Sequence, residues 1–182
     1  MPSAEDVTQA LLRPEYDSAP YTPAADADTS FRQYLDEGDG TGLTCSSDGI
    51  ATAVGVQLDT IRMHGQVHVW VGGADADGNS GSMKDCTTSP NDPAFWLHHA
   101  NIDRIAEAWW STHGYAYAPI TGGLDGDNLE DALFGYPERT NGDMAVPTAD
   151  LGYVYSALPT LSGQDELQLL PEATGQVLTG HH

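Results

Sequence analysis

Three histidines have the type and spacing of ligands for one metal ion. His64 and His68 are four residues apart, so on a helix both imidazoles project from one face and can grip a single ion. His99, on a second predicted helix, is the candidate for a third ligand. Three imidazoles without a thiolate suit copper or zinc rather than calcium or magnesium. The sequence therefore predicts a three-histidine metal site.

Two residues on the helix of His99 are placed to support that ligand. Phe95 and Asp103 lie one turn before and one turn after His99, on the same helical face. Asp103 can orient an imidazole by accepting its second N–H, although a pairing with Arg104 or with solvent would also account for it. An accidental grouping of histidines in a globular domain would leave this surrounding pattern unexplained.

Two other kinds of metal site do not fit the residues. A zinc peptidase needs a glutamate between its helix histidines as general base, but the segment reads His64-Gly-Gln-Val-His68. The stretch 75–79, Asp-x-Asp-x-Asn, is similar to the start of a calcium loop, but Ser80 replaces the needed glycine and Cys86 the needed glutamate. We interpret this stretch as a solvated turn.

Two predicted helices carry the histidines. Asp92-Pro93 forms a cap and a first turn that open the helix of His99, and Gly114 fits the position just past its end. Apolar residues at helical spacing over 54–68 predict the helix of the first histidine pair, which Gly72-Gly73 ends. The ligands therefore come from two separate helices.

Shorter elements surround these helices. A capping box predicts a helix over 3–12, and Thr29 or Ser30 can cap a second short helix. We also expect a short helix over 128–134 and a short strand pair near Tyr153. The pattern is that of one mainly helical domain with long loops.

Charge excludes two classes of partner. The chain has 6 basic and 27 acidic residues and a formal net charge of -21, which opposes binding to nucleic acid or to anionic membranes. Since no apolar run is long enough to span a bilayer and no signal peptide is visible, we expect a soluble protein, cytoplasmic or exported by means not visible in this chain. Cys45 and Cys86 lie in polar loops, where either a disulfide or two thiols is possible.

Two long motifs resemble the second-copper segment of tyrosinases, catechol oxidases and hemocyanins. They read His64-Gly-Gln-Val-His68-Val-Trp-Val-Gly-Gly73 and Ser89-Pro-Asn-Asp-Pro-Ala-Phe-Trp-Leu-His-His99-Ala-Asn-Ile-Asp103-Arg104. The resemblance implies copper ligands at His64, His68 and His99. It makes His98 a non-ligating neighbour, which we expect to point away from the ligand face. Phe95 resembles the aromatic that packs against a ligand ring, and Tyr153-Val154-Tyr155 the tyrosine motif that closes the catalytic core.

The resemblance also implies a fold and a domain organisation. The fold would be mainly α, half of a type 3 copper helical bundle, with two antiparallel ligand-bearing helices and long irregular loops. Residues 1–158 would form this half-domain and residues 159–182 a weakly patterned C-terminal tail. One copper ion per chain is expected, with a second only in a completed dinuclear site.

The ligands of the family's first copper are missing. That copper takes three histidines from upstream helices, but residues 1–63 contain no histidine. His113, at a predicted helix end, and His181-His182, on the tail, are not expected to replace them. Because the family holds dioxygen between two coppers that each supply one electron, one copper alone is insufficient.

These residues lead to one main functional expectation. The chain would be a copper-binding subunit or fragment of a tyrosinase-like phenol or catechol oxidase that uses dioxygen and is inactive alone. Its first-copper half would come from a partner chain, from a second copy or from upstream sequence. The alternatives are a stand-alone mononuclear copper-binding protein without oxidase activity and a mononuclear copper enzyme acting on a small phenol.

Gly65 bears on the phenolic substrate. Many monophenol-hydroxylating members of the family have an asparagine there, which is thought to help position a water that deprotonates the phenol. The resemblance therefore implies diphenol oxidation rather than monophenol hydroxylation. Asp36 or Glu37 are the candidates for the acidic partner of that water.

Overall fold

The computed structural model describes residues 2–22, 25–36, 63–85 and 87–161, and in these ranges the chain is mainly helical. The elements are α1 (Ala4–Leu11), α2 (Phe31–Asp36), α3 (Met63–Gly72), α4 (Pro93–His113), β1 (Ala132–Leu133), β2 (Tyr136–Thr140) and α5 (Asn141–Met144). Two 3₁₀ turns, Ser82–Lys84 and Ser89–Asn91, lie between α3 and α4. The prediction of a mainly α fold is confirmed.

Local capping explains where the first two helices begin. The Ser3 side chain accepts from the backbone N–H of Asp6, whose carboxylate accepts from the N–H of Ser3, so the predicted capping box is present. For α2, the Ser30 hydroxyl accepts from the N–H of Gln33 at 3.1 Å. Of the two residues predicted to cap this helix, Ser30 therefore does so.

Helix α4 has the ends that its sequence predicts. The Asp92 carboxylate accepts from the N–H of Ala94 at 2.9 Å, and Pro93 occupies the first turn, where no N–H is needed. At the other end Gly114 has φ +92°, a left-handed conformation that glycine adopts without steric cost. These caps set the length of the helix that carries His99.

Helix α3 ends against the following loop. Gly73 has φ +45° and donates its N–H to the carbonyl of Val69, as expected for a glycine that ends a helix. The predicted beginning of this helix lies outside the described residues. A Cβ on Gly72 would lie 2.5 Å from the Cβ of Lys84. The 3₁₀ turn that contains Lys84 therefore packs directly on the end of α3.

The acidic stretch 75–79 forms a hydrogen-bonded turn. The Asp75 carboxylate accepts from the backbone N–H of Asp77 at 3.0 Å and of Asn79 at 2.8 Å. These contacts account for the acidic and amide side chains as parts of a surface turn.

The hydrophobic core joins α1, α2 and α4, with a contribution from the start of α3. At its centre the rings of Phe31 and Trp109 stack with centroids 4.9 Å apart, and the Trp109 indole donates to the carbonyl of Arg13 at 2.8 Å. The buried members are Ala10, Leu11, Phe31, Tyr34, Leu35, Met63, Ile105, Ala108 and Trp109. The core therefore determines which side of α4 is buried.

Two predictions for the C-terminal third are wrong. Residues 128–134 form a turn and β1 instead of a helix, because the Asp131 carboxylate accepts from the N–H groups of Gly126 and Asn128. The strand pair is β1 with β2, antiparallel, joined by a turn in which Gly135 has φ +81°. Around Tyr153 the described chain is irregular.

Several expectations concern residues outside the described ranges. Cys45, Cys86, Glu37 and the pair His181-His182 belong to this group. Leu158 packs against the core, but the division between residues 1–158 and 159–182 stays a prediction. Within the described ranges, no helix combines the length and the apolar character needed to cross a membrane.

Candidate metal centre

Three imidazoles converge between α3 and α4. His64 and His68 project from one face of α3, with their Nε2 atoms 3.1 Å apart. From α4, the Nε2 of His99 lies 3.3 Å from the Nε2 of His68. The structure thus brings together the three histidines predicted as ligands.

Hydrogen bonds at the opposite ring nitrogens orient two of these imidazoles. His64 Nδ1 is 2.6 Å from an Asp36 carboxylate oxygen, and His68 Nδ1 is 2.7 Å from the backbone carbonyl oxygen of Met83. Carboxylate and carbonyl oxygens only accept, so each Nδ1 carries the proton. In the neutral rings, both Nε2 atoms therefore present bare lone pairs to the centre of the cluster.

This arrangement passes a test of fit for a metal ion. Two lone pairs that face each other across 3.1 Å repel, and a cation between them removes the repulsion. Metal–imidazole bonds are about 2.0–2.1 Å long, so nitrogens of one tetrahedral site lie roughly 3.3 Å apart. The spacings of 3.1 Å between His64 and His68 and 3.3 Å between His68 and His99 match pairs of imidazoles on a copper or zinc ion.

The environment keeps the imidazoles of His68 and His99 in the form that binds metal. Burial, together with the neighbouring His64 and His68 rings, lowers the pKa of His99 to about 4. Burial also lowers the pKa of His68. Burial is the largest single influence on the pKa of Asp36 and acts to raise it, but the hydrogen bond from His64 and the nearby charges of His64, Arg32 and His99 together lower it. The neutral rings of His68 and His99, in a cluster that also contains an ionised carboxylate, suit a bound cation.

Phe95 lies against the cluster. Its ring centroid is 4.2 Å from that of His99 and 5.9 Å from that of His68. The phenyl ring therefore forms an apolar wall beside two of the imidazoles, and such a wall limits the approach of water from that side.

Asp103 has different contacts from those expected. Its carboxylate accepts hydrogen bonds from the hydroxyls of Tyr153, at 2.8 Å, and Tyr155. Among the described residues these phenols, and not a cluster histidine, are its donors, while Arg104 bonds to Asn101. In this structure Asp103 therefore does not hydrogen-bond to a cluster imidazole as predicted. The segment with the two tyrosines folds back onto α4, and the tyrosine hydroxyls donate to the carboxylate instead.

His98 does not point away from the cluster, so that expectation is wrong. It is buried, its ring lies 5.3 Å from that of His64 and 5.0 Å from that of His68, and its Nε2 is 3.1 Å from the His64 carbonyl oxygen. Ring nitrogens of His64, His68 and His98 all lie within 4.8 Å of one another. Successive helical residues are only about 100° apart, so His98 and His99 both reach the space beside α3.

Sequence reasoning missed the roles of Asp36 and Met83. For Asp36 the sequence predicts only a contact with a water, and the 28 positions that separate it from His64 conceal the pairing. The contribution of Met83 is a backbone carbonyl, which no side-chain pattern reveals. His113 is at the end of α4, where its Nδ1 donates to the Trp109 carbonyl at 3.0 Å.

A mainly helical fold with imidazoles converging from two helices defines a helical protein with a histidine cluster that could hold a metal ion. Residues 3–112 match the family model described as the common central domain of tyrosinase. The chain is 32% identical over 145 residues to a tyrosinase of Streptomyces lincolnensis, covering 79% of this chain and 41% of that protein. It is 35% identical over 166 residues to a tyrosinase of Canis lupus familiaris, covering 87% of this chain and 27% of that protein.

The chain belongs to the tyrosinase family. A tyrosinase of Streptomyces glaucescens is 31% identical over 150 residues, covering 82% of this chain and 43% of that protein. The chain thus spans less than half the length of these curated relatives. The family is one of copper oxidases, and the histidine cluster is compatible with copper.

Proposed function

We propose that this chain holds one copper ion of a tyrosinase-like phenol or catechol oxidase that uses dioxygen, with His64, His68 and His99 as the ligands. A first-copper half would come from another chain or from upstream sequence. One observation carries the proposal: hydrogen bonds at Nδ1 direct the Nε2 lone pairs of His64 and His68 toward each other, 3.1 Å apart, beside the Nε2 of His99.

The choice of His99 over His98 as third ligand rests on what each Nε2 faces. In His99 this atom faces the Nε2 of His68 at 3.3 Å, where a shared ion would sit. In His98 it faces a backbone carbonyl oxygen at 3.1 Å, and only a protonated nitrogen makes that contact favourable. The Nε2 of His99 is therefore placed to give a lone pair to a shared ion, whereas the Nε2 of His98 carries a proton.

The chain's own residues prepare the site for copper, which supplies one-electron redox chemistry when bound. Asp36 and the Met83 carbonyl hold the two α3 imidazoles by their Nδ1 protons, so their orientation is set before the ion arrives. Phe95 covers one side of the cluster. A phenolic substrate would approach from the side that these residues leave free, and Gly65 favours a diphenol.

A surface beside the site supports the need for a second half. On α3 Trp70 is 64% exposed, and on α4 Trp96 is 64% and Leu97 76% exposed. Large apolar side chains on both ligand-bearing helices form the kind of surface that other helices of a bundle cover. With no histidine in residues 1–63, we propose that the missing ligands arrive with the polypeptide that covers this surface, which is a partner chain, a second copy or upstream sequence.

A stand-alone mononuclear copper-binding protein is the second candidate. The observation that favours it is a core built within the described part of this chain: Phe31, Ile105 and Trp109 are each no more than 2% exposed. Such a core supports α4 without help from a partner. This candidate would bind copper at the same three histidines but would not oxidise phenols.

The test combines copper stoichiometry, oligomeric state and catechol oxidation. The copper-loaded chain is measured alone and then with a co-expressed upstream or partner polypeptide, with His99→Ala in the same mixture as control. A split oxidase predicts that the chain alone binds one copper and has no activity. With its partner it should form a complex that holds two coppers and oxidises catechol, and His99→Ala should abolish this activity. One copper in a monomer that gains nothing from any partner would support the mononuclear protein.

A further inference from the structure

His98 is a buried histidine that the proposed copper site does not use as a ligand. Its relative exposure is 8%, whereas the two preceding residues on α4, Trp96 and Leu97, are 64% and 76% exposed. A polar ring taken out of water costs free energy unless it is hydrogen-bonded. The contacts of His98 therefore indicate why a histidine stands at this position.

The first contact joins α4 to the backbone of a ligand. The Nε2 of His98 lies 3.1 Å from the carbonyl oxygen of His64. A carbonyl oxygen only accepts, so Nε2 is the protonated nitrogen and donates. This hydrogen bond fixes the first turn of α3 against α4 at His64, a ligand of the proposed copper site.

The second contact concerns the ring plane of the same ligand. The rings of His98 and His64 are nearly parallel, 13° apart, with centroids separated by 5.3 Å. On the Nδ1 side, the Asp36 carboxylate holds His64 at 2.6 Å. The His64 imidazole is thus restrained by a neighbouring ring, by its own backbone and by a carboxylate.

We propose that His98 is a positioning residue for the copper site, which sets the backbone and ring plane of His64 through its Nε2–H and its stacked ring without binding the metal. The inference rests on the proposed function, since it concerns the same copper. This role explains why His98 is buried: its ring and its Nε2–H hold His64 in place. Loss of a supporting hydrogen bond around a metal ligand weakens metal binding by about 10–100-fold.

Three variants separate positioning from ligation. His98→Gln keeps a donor near the place of Nε2, His98→Asn has a donor too short to reach it, and His98→Phe keeps a ring without a donor. Copper affinity is measured by chelator competition, with circular dichroism as the check on folding. We expect His98→Gln to stay within about 3-fold of the parent chain and the other two to lose about 10–100-fold.

Spectroscopy gives a readout that a purely structural role would not change. Pulsed electron paramagnetic resonance of the chain with one Cu(II) counts coordinated imidazoles, and we expect the same count in the parent chain and in His98→Gln. Loss of one imidazole in His98→Gln would show that His98 is a ligand and would overturn the proposal. Parent-like copper affinity in both folded His98→Phe and His98→Asn would overturn it equally.

The tautomer of His98 can be read without copper. Long-range ¹H–¹⁵N spectra of the metal-free chain should show His98 protonated at Nε2, with no change when diamagnetic Cu(I) is added. Protonation at Nδ1, or a shift of a His98 nitrogen on metal binding, would contradict the positioning role. Failure of the parent chain to bind copper would instead contradict the proposed function, which keeps the two outcomes distinct.

Discussion

The carboxylate of Asp36 and the imidazole of His64 are joined across two helices by a contact of 2.6 Å between Oδ1 and Nδ1. Because a carboxylate oxygen only accepts, the contact places the proton of the neutral His64 ring on Nδ1. The Nε2 atom then carries a lone pair that faces His68. Carboxylate–histidine pairs of this kind orient metal ligands and raise their basicity. The short helix α2 thereby takes part in the site although it carries no ligand.

Asp36→Asn should weaken copper binding by about 10–100-fold while leaving the fold intact. The amide accepts one hydrogen bond but carries no charge, so it stabilises neither the His64 tautomer nor the bound cation as strongly. Chelator competition on the folded variant measures the effect, and Asp125→Asn, at an exposed position, is the matched control. Equal affinities in the two variants would show that the Asp36 contact does not support the metal.

Gly72→Ala should disturb the loop that orients His68. The new Cβ would lie 2.5 Å from the Lys84 Cβ, next to the Met83 carbonyl that accepts from His68 Nδ1. Overpacking of this kind costs about 1–3 kcal/mol, which urea unfolding measures, and copper affinity should fall as well. In Gly142→Ala, the control, the Cβ meets a Leu129 methyl at 3.0 Å that can move aside, so the loss should be smaller and copper binding unchanged.

Phe31→Ala should destabilise the chain by about 3–5 kcal/mol, since Phe31 is buried and stacked on Trp109 at 4.9 Å. Denaturant unfolding of the metal-free chain gives this value. Phe134→Ala removes the same atoms from a fully exposed ring and should change stability little. Similar losses in both variants would contradict the placement of the core.

Stability should fall in alkali as the phenols that bind Asp103 ionise. Burial, and then the hydrogen bond to Asp103, raise the pKa of Tyr153 from 10.0 to about 12. The folded state holds this proton more tightly, so its contribution is present below pH about 10 and is lost as pH rises toward about 12. Unfolding measured across this window should show a smaller decline in Tyr153→Phe, and an unchanged decline would argue against the contact.

Local signals predicted the start of α1 and both ends of α4 because caps are set by neighbouring residues. Asp92, Pro93 and Gly114 bound α4, and Ser3 with Asp6 opens α1, as the sequence indicates. The turn over 128–134 was missed since Asp131 bonds to nearby backbone N–H groups and thereby competes with helix formation.

The surroundings of the site were harder to predict because they come from distant segments. Asp36 and the Met83 carbonyl reach the histidines across long sequence separations. The position of His98 did leave a signal, since its spacing to Ile105 and Trp109 is helical and both are buried. That period places His98 on the core face of α4, beside the face of His99.

The most direct test of the central claim is the copper content of loaded parent chain, His68→Ala and His113→Ala, by elemental analysis after removal of loosely bound metal. His68 has its Nε2 within 3.3 Å of those of both His64 and His99, whereas His113 bonds to the Trp109 carbonyl at the end of α4. The account predicts one copper per chain in the parent and in His113→Ala and almost none in His68→Ala. Full copper content in folded His68→Ala would contradict it.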